Sequence, residues 1–223
     1  MTKQGLVIQA TGSWYQVVCE DETLHCRIRG KLRLKGVRST NPVVVGDVVH
    51  IECDNTGEWV IYDIVPRRNY IIRRASNLSK ESHIIAANID QALIVVTLIE
   101  PQTALEFVDR FLITCEAYKV PATILLAKID LLESNPEAIA EFHAIYESAG
   151  YNVIDISATQ GIGVDVVKDI LKGKTTLVSG NSGVGKSTLI GKIDPELDIR
   201  TGEISESFHK GKHTTTFSTM YPL

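Results

Sequence analysis

Residues 180–187 of the chain read Gly-Asn-Ser-Gly-Val-Gly-Lys-Ser, which matches the pattern G-x-x-x-x-G-K-[ST] of a phosphate-binding loop. Residues 175–179 precede the loop as a predicted strand, and residues 188–192 follow it as a predicted helix. The motif requires this context, because glycines let backbone N–H groups turn toward phosphate oxygens and the start of a helix favours negative charge. The sequence therefore predicts a nucleotide-phosphate site.

The side chains of this loop have separate predicted roles. The Lys186 ammonium can reach the β- and γ-phosphates of a nucleotide, and the Ser187 hydroxyl can bind Mg²⁺. The residues expected to contact the nucleotide here are Gly180, Asn181, Ser182, Gly183, Val184, Gly185, Lys186, Ser187 and Thr188.

Strand-like and helix-like segments alternate before the loop. A continuous apolar run, typical of a strand buried on both faces, occupies 91–99, and further predicted strands occupy 121–127 and 151–156. Apolar residues at helical spacing occupy 103–119, 136–149 and 164–171. This alternation predicts an α/β domain with a mostly parallel sheet covered by helices.

The first part of the chain has a different pattern. Five short β-rich runs occupy residues 3–66, and the fourth of them covers 43–52; turn residues such as Thr11-Gly12 and Asn55-Thr-Gly57 lie between runs, and Gly46-Asp47 lies within the fourth. We expect a small all-β barrel of the OB-fold type. The predicted domains are therefore 1–70, the barrel, and 71–223, the phosphate-loop domain.

Two more motifs lie upstream of the phosphate loop. Ala127-Lys128-Ile129-Asp130 follows the second sheet strand, and Ser157-Ala158 follows the third. They resemble the guanine-reading N-K-x-D and S-A motifs of Ras-like GTPases, in which these motifs come after the phosphate loop. In this chain both motifs come before the phosphate loop, which indicates a circularly permuted GTPase that binds GTP and GDP.

Within that group the whole chain resembles the RsgA or YjeQ family of GTPases that depend on the small ribosomal subunit. The resemblance is carried by Val45-Gly-Asp-Val, Arg73-Arg-Ala, Ala87-Asn-Ile-Asp-Gln and Gly211-Lys-His-Thr-Thr-Thr together with the motifs above. It implies an OB-fold, a permuted GTPase domain and a C-terminal zinc-binding domain. It also implies Mg²⁺-dependent GTP hydrolysis on the small subunit, late in its assembly.

The chain departs from the family at two places. Position 127 is Ala where the family has Asn, whose amide contacts guanine and ties this loop to the phosphate loop. Asp130 remains and can accept from guanine N1–H and N2–H₂, so guanine preference should survive. The sequence ends at Leu223, before the family's D-T-P-G motif and zinc domain, so we expect a truncated chain without zinc.

The segment after the phosphate loop holds the candidate catalytic residues. Thr214 to Thr216 resembles the switch threonines that bind Mg²⁺ in the GTP state, and Thr215 is the residue we select, although such a run also fits an exposed strand. His213 is the candidate for positioning the attacking water, and an exposed loop histidine is the alternative.

Charge is unevenly distributed along the chain. Residues 1–75 hold 11 Lys and Arg against 8 Asp and Glu, whereas the rest hold 12 against 19. The basic excess predicts ribosomal RNA binding through Arg27, Arg29, Lys31, Arg33 and Lys35. A solvated strand face is the alternative interpretation, and Trp14 and Tyr15 fit either base stacking or the core.

The sequence shows neither a membrane span nor a secretory signal, and three functional interpretations remain. No apolar run reaches the length of a membrane span and no secretory signal is evident, so we expect a cytoplasmic monomer. The main prediction is a GTPase that acts on the small ribosomal subunit. The alternatives are a non-catalytic RNA-binding module with a weakened nucleotide site, and a small-molecule kinase with the same loop. A kinase predicts a loop near the N-terminus and an arginine-rich lid, which the sequence lacks.

Overall fold

The architecture comes from a computed structural model that describes residues 2–29, 42–74, 82–197 and 218–223. These residues form eleven β-strands, four α-helices and one 3₁₀-helix. They group into two compact units: one holds the described residues up to Ile89 with 218–222, and the other holds those from Asp90 to 197 with Leu223. The predicted domain boundary at residues 70 and 71 stays a prediction.

The first unit contains a closed barrel of five strands. Its strand order is β1–β2–β3–β5–β4, and the strands are β1 (Thr2–Thr11), β2 (Trp14–Cys19), β3 (Glu22–Ile28), β4 (Val48–Cys53) and β5 (Trp59–Ile64). Alternate side chains point inward, so that Val7, Val17 and Ile61 are among the fully buried core residues. The closed barrel confirms the predicted OB-like architecture.

The fourth strand is shorter than the sequence predicts. It begins at Val48, because residues 43–47 form a turn around the buried carboxylate of Asp47. That carboxylate accepts from Val44 N at 2.8 Å and from Arg67 Nε and Nη2 at 2.6 and 2.7 Å. A buried charge needs such partners, and they hold the turn out of the strand.

A hairpin that the sequence pattern did not predict follows the barrel in the same unit. Strands β6 (Tyr70–Arg74) and β7 (Ser82–Ala87) pair antiparallel. The ends of this segment are joined by Asn69, whose side chain donates to Ile89 O at 2.7 Å and accepts from Ile89 N at 2.8 Å.

The second unit contains a four-stranded parallel sheet, in the order β10–β9–β8–β11. The strands are β8 (Gln91–Val96), β9 (Ala122–Ala127), β10 (Asn152–Ile156) and β11 (Thr176–Ser179). All six residues of β8 are buried, as expected for a strand with apolar clusters on both sheet faces. The predicted α/β class is confirmed.

Helices cover the sheet close to their predicted positions. They are α1 (Leu105–Ala117), α2 (Pro136–Ser148), α3 (Val164–Leu171) and α4 (Lys186–Ile193). The Asn135 side chain accepts from Ala138 N at the start of α2, which fixes where that helix begins. Among the described residues, no helix combines the length and the hydropathy needed to cross a bilayer.

One ionisable contact joins α2 to β10. His143 Nδ1 lies 2.8 Å from Glu147 Oε1, and Nε2 lies 2.8 Å from Asp155 Oδ1. Burial lowers the pKa of His143, but hydrogen bonds and charge from Asp155 and Glu147 outweigh it, so the pKa is raised above its ordinary value. When the ring is protonated, it donates to both carboxylates and links the helix to the strand.

We expect the stabilising effect of His143 to depend on pH. A group whose pKa is raised by folding stabilises fully below its unfolded pKa, near 6.5, and this stabilisation is lost as pH rises through the folded pKa. His143→Gln should therefore lower the melting temperature more at pH 5.5 than at pH 9. Thermal unfolding of both proteins across this range is the measurement, and a pH-independent difference would contradict the assignment.

Candidate nucleotide-binding site

The sheet brings the sequence motifs of the second unit to one edge. Because β8, β9, β10 and β11 are parallel, the segments after their carboxyl ends share that edge. These segments are 97–103, 128–132, 157–160 and 180–187. Motifs that are up to 60 residues apart in the chain are therefore neighbours in space.

The phosphate loop leaves β11 in a tight approach to the neighbouring strand. Gly180 has φ of 142°, and a Cβ at this position would lie 2.3 Å from Val95 O. Only glycine fits such a contact without moving the backbone. Val184, farther along the loop, is buried in the apolar cluster that also contains Leu189 of α4, which anchors the loop to the core.

Lys186 folds back over the loop at the start of α4. Its Nζ donates to Gly180 O at 2.8 Å and to Asn181 O at 2.6 Å. Burial lowers the pKa of Lys186, which means that the charged form lacks part of the hydration it has in water. This positioned cation suits a site for phosphate oxygens.

The first turn of α4 supplies further groups for an anion and its metal. The first N–H groups of a helix have no intrahelical carbonyl partner and carry positive partial charge. Ser187 lies in this turn, half-buried, and no described residue accepts or donates a hydrogen bond at its hydroxyl. This oxygen fits a Mg²⁺ ligand that would neutralise charge on the phosphates, and the exposed Thr188 follows it.

The base-recognition segment follows β9. Ala127 is buried in an apolar cluster, and the left-handed conformation of Lys128, with φ of 61°, turns the chain into the 3₁₀-helix Ile129–Leu132. Asp130 lies in that helix and is half-buried. The Lys128 ammonium donates to Glu100 O at 2.7 Å, outside the motif itself.

The segment after β10 meets the base-recognition segment through a threonine. Ser157 is buried, and its Oγ lies 3.0 Å from Thr159 Oγ1. Thr159 Oγ1 in turn makes a long hydrogen bond of 3.5 Å to Asp130 Oδ2. Ala158 lies between the two hydroxyl residues and packs against the apolar cluster.

The structure adds residues that the motifs did not indicate. Thr159 contacts Asp130, and Glu100 and Pro101 lie beside the two nucleotide loops. Thr159 directly follows the Ser157-Ala158 motif, so the motif could have indicated it. Nothing in the local sequence indicates Glu100, because its contact uses a backbone oxygen. The candidate catalytic residues His213 and Thr215 lie outside the described residues.

The predicted RNA-binding residues belong to the barrel unit. Arg27 stacks on Trp14, with the guanidinium carbon 3.9 Å from the ring centroid, and lies 3.6 Å from Glu58. Arg29 forms an ion pair with Glu52. Lys31, Arg33 and Lys35 lie outside the described residues. Trp14 is 43% exposed whereas Tyr15 is buried in the core. The structure therefore leaves base stacking to Trp14 and assigns Tyr15 to the core, a distinction that the sequence alone did not make.

Comparison with known proteins gives family matches over nearly all of the chain. The model of the RsgA N-terminal domain matches residues 4–61, and the RsgA GTPase model matches residues 64–223. The small ribosomal subunit biogenesis GTPase RsgA of Phocaeicola vulgatus is 53% identical over 222 residues, which is 99% of this chain and 72% of that protein. The protein of the same name from Porphyromonas gingivalis strain W83 is 51% identical over 220 residues, with 97% and 70% covered.

Solved structures are also similar. YjeQ from Thermotoga maritima has a TM-score of 0.68 and 33% identity, with 90% of this chain and 68% of that one covered. YloQ, described as a circularly permuted GTPase, has a TM-score of 0.61 and 30% identity, with 87% and 65% covered.

We expect Lys186→Ala to abolish nucleotide binding without unfolding the protein. The ammonium makes charge-assisted contacts to phosphate, which are among the stronger hydrogen bonds, and it lies in a loop rather than in the core. Lys192→Ala, an exposed lysine of the same helix, is the matched control and should bind as the parent does. Calorimetry with GDP is the measurement, and binding by Lys186→Ala within twofold of the parent would refute the assignment of the loop.

Proposed function

Because the chain belongs to the RsgA GTPase family, we propose that it binds GTP, hydrolyses it to GDP and phosphate, and acts in the biogenesis of the small ribosomal subunit. The carrying observation is the meeting of a phosphate loop and a guanine-type loop at one edge of a parallel sheet, with the motifs in permuted order. Release of phosphate from GTP, with and without small ribosomal subunits, tests the activity.

Selection of guanine is assigned to Asp130. A carboxylate accepts hydrogen bonds only, so it matches the adjacent N1–H and N2–H₂ donors of guanine. Adenine offers no such donor pair. The contact of Asp130 with Thr159 supports this role, because it restrains the carboxylate in the half-buried loop.

Hydrolysis is assigned to the loop residues together with the segment that follows them. Lys186 binds the β- and γ-phosphates, and the first-turn amides of α4 receive their oxygens. Mg²⁺, when bound by Ser187 and Thr215, would supply charge neutralisation between these phosphates. His213 is proposed to orient the attacking water. The resemblance to the family motif supports the roles of His213 and Thr215.

Ribosomal RNA is the proposed partner of the barrel. Strands 2 and 3 are the face with which OB-folds bind oligonucleotides, and both Trp14 and Arg27 lie on these strands. A half-exposed tryptophan stacked with a guanidinium suits an unpaired base, while the basic residues suit phosphates. Because Glu58 and Glu52 already partner Arg27 and Arg29, the main phosphate contacts are assigned to Lys31, Arg33 and Lys35.

Two other functions are less well supported. A non-catalytic RNA-binding module would not need the positioned Lys186 or the base-recognition loop beside it. A small-molecule kinase is disfavoured by the family matches. We further propose that the chain works in the cytoplasm as a monomer.

Asp130→Asn should move base preference from guanine toward xanthine. The amide donates where the carboxylate could only accept, and xanthine has an oxygen at the position of the guanine amino group. Competition of GDP and xanthosine diphosphate for a fluorescent GDP analogue is the measurement. Asp169→Asn removes an exposed aspartate of α3 and should leave the preference unchanged. An unchanged preference in Asp130→Asn would remove this residue from base reading.

Phosphate and base contacts in the barrel should separate in a salt titration. Neutralising Lys31, Arg33 and Lys35 together should flatten the dependence of small-subunit binding on salt by about two to three units, because each phosphate contact releases counterions. Trp14→Ala should weaken binding about tenfold with the same slope, since stacking releases none. Pelleting with small subunits across a salt series measures both effects.

The other tryptophan provides the control for this titration. Trp59→Phe changes a residue that is packed against the barrel core, and it should bind as the parent does. An unchanged slope in the triple variant would place the phosphate contacts elsewhere, and full affinity in Trp14→Ala would remove the stacking site.

A further inference from the structure

Residues 97–103, named here the bridging loop, connect β8 to α1 and are held closed by their own threonines. Thr97 Oγ1 donates to Pro101 O at 2.5 Å, and Thr97 N donates to Thr103 Oγ1 at 3.2 Å. Thr103 N returns a hydrogen bond to Thr97 O at 2.8 Å. Both threonines are buried, so these bonds are shielded from water and fix the shape of the loop.

The bridging loop touches both nucleotide-binding segments. On one side, Glu100 O accepts from Lys128 Nζ of the base-recognition segment at 2.7 Å. On the other, Pro101 lies against the phosphate loop, since a Cβ on Gly183 would be 3.4 Å from its Cδ and 3.5 Å from its Cγ. Two adjacent residues of one hydrogen-bonded turn therefore lie beside the loops for the base and for the phosphates.

The residue that ties these loops together in the family cannot do so here. Ala127 has no donor or acceptor in its side chain, and it is buried in the apolar cluster that also contains Val184 of the phosphate loop. Its methyl group contributes packing but no directional contact. The geometry of Asp130 relative to residues 180–187 therefore needs another source of rigidity.

We propose that the bridging loop holds the base-recognition segment at a fixed position relative to the phosphate loop, in place of an amide at residue 127. Thr97 and Thr103 are then positioning residues for guanine recognition. The proposal rests on the proposed function, because it concerns how one nucleotide spans the two loops. A loosened bridge lowers the fraction of molecules in which Asp130 meets guanine while the phosphates are bound.

The consequence is selective for the base. GDP uses both loops, so its affinity depends on their relative position. ADP has no donor pair for Asp130 and depends on the phosphate loop alone. A change in the bridging loop should therefore reduce the preference for GDP over ADP, whereas general destabilisation of the fold would weaken both nucleotides together.

Thr97→Val tests this directly. Valine keeps the volume of the buried side chain and removes the hydroxyl that donates to Pro101 O. GDP affinity should fall about fivefold, as expected for one hydrogen bond, with ADP affinity within twofold of the parent. Thr114→Val makes the same chemical change at a half-buried position of α1, away from the nucleotide loops, where the hydroxyl donates to Arg110 O, and it should alter neither.

Two further variants keep the test decisive if Thr97→Val unfolds. Lys128→Met retains the apolar stem but removes the ammonium that donates to Glu100 O. Because Lys128 is only half-buried, this change should not unfold the protein, and it should reproduce the selective loss of GDP affinity. Ala127→Asn restores the family's amide, so it should raise GDP affinity more in the Thr97→Val background than in the parent. This coupling is measured as a double-mutant cycle.

Each result has a separate meaning. The affinities for GDP and ADP are measured by competition with a fluorescent GDP analogue. The proposal is overturned if Thr97→Val and Lys128→Met lower both affinities equally or lower neither. Additive effects of Ala127→Asn and Thr97→Val would overturn it as well. A parent chain that did not bind GDP would instead refute the proposed function.

Discussion

Parallel pairing of β8 with both β9 and β11 is the constraint on which the nucleotide site depends. Together with the parallel pairing of β10 with β9, it places the carboxyl ends of four strands at one sheet edge, and every described loop assigned to the nucleotide follows such an end. The order of the loops along the chain does not matter to this arrangement. A circular permutation can therefore keep the site intact, because each loop needs only the correct strand end and the correct neighbours.

Features with a local cause could be read from the sequence. The phosphate loop has its own spacing of glycines and lysine, and the buried strands and barrel strands have different periods of apolar residues. The turn at 43–47 could not be read in this way, because it depends on Asp47 meeting Arg67 twenty residues later. The apolar run Val43 to Val45 resembles a strand until that partner is known.

Functional side chains show the same limit. The basic run that includes Arg27 and Arg29 predicted an RNA-binding surface, with a solvated strand face as the alternative, and both side chains are exposed on the barrel unit. Their carboxylate partners lie far away in the sequence, Glu52 in β4 and Glu58 just before β5, so local spacing could not reveal that these charges are already paired. Likewise, Lys128 was assigned by its motif, but its contact with Glu100 O involves a backbone atom, which carries no sequence signal.

Lys186 links the energetics of the fold to ligand binding. Its lowered pKa means that the half-buried ammonium has lost hydration, and the two carbonyls of Gly180 and Asn181 offset only part of that loss. A phosphate brings full negative charge to the same cation and strengthens these contacts. The loop therefore contains a cation that is more stable with a phosphate than without one, and this difference favours nucleotide binding. Phosphates held at residues 180–187 fix where guanine must lie. By holding Asp130 at a fixed position relative to these residues, the bridging loop lets phosphate binding also favour the guanine contact.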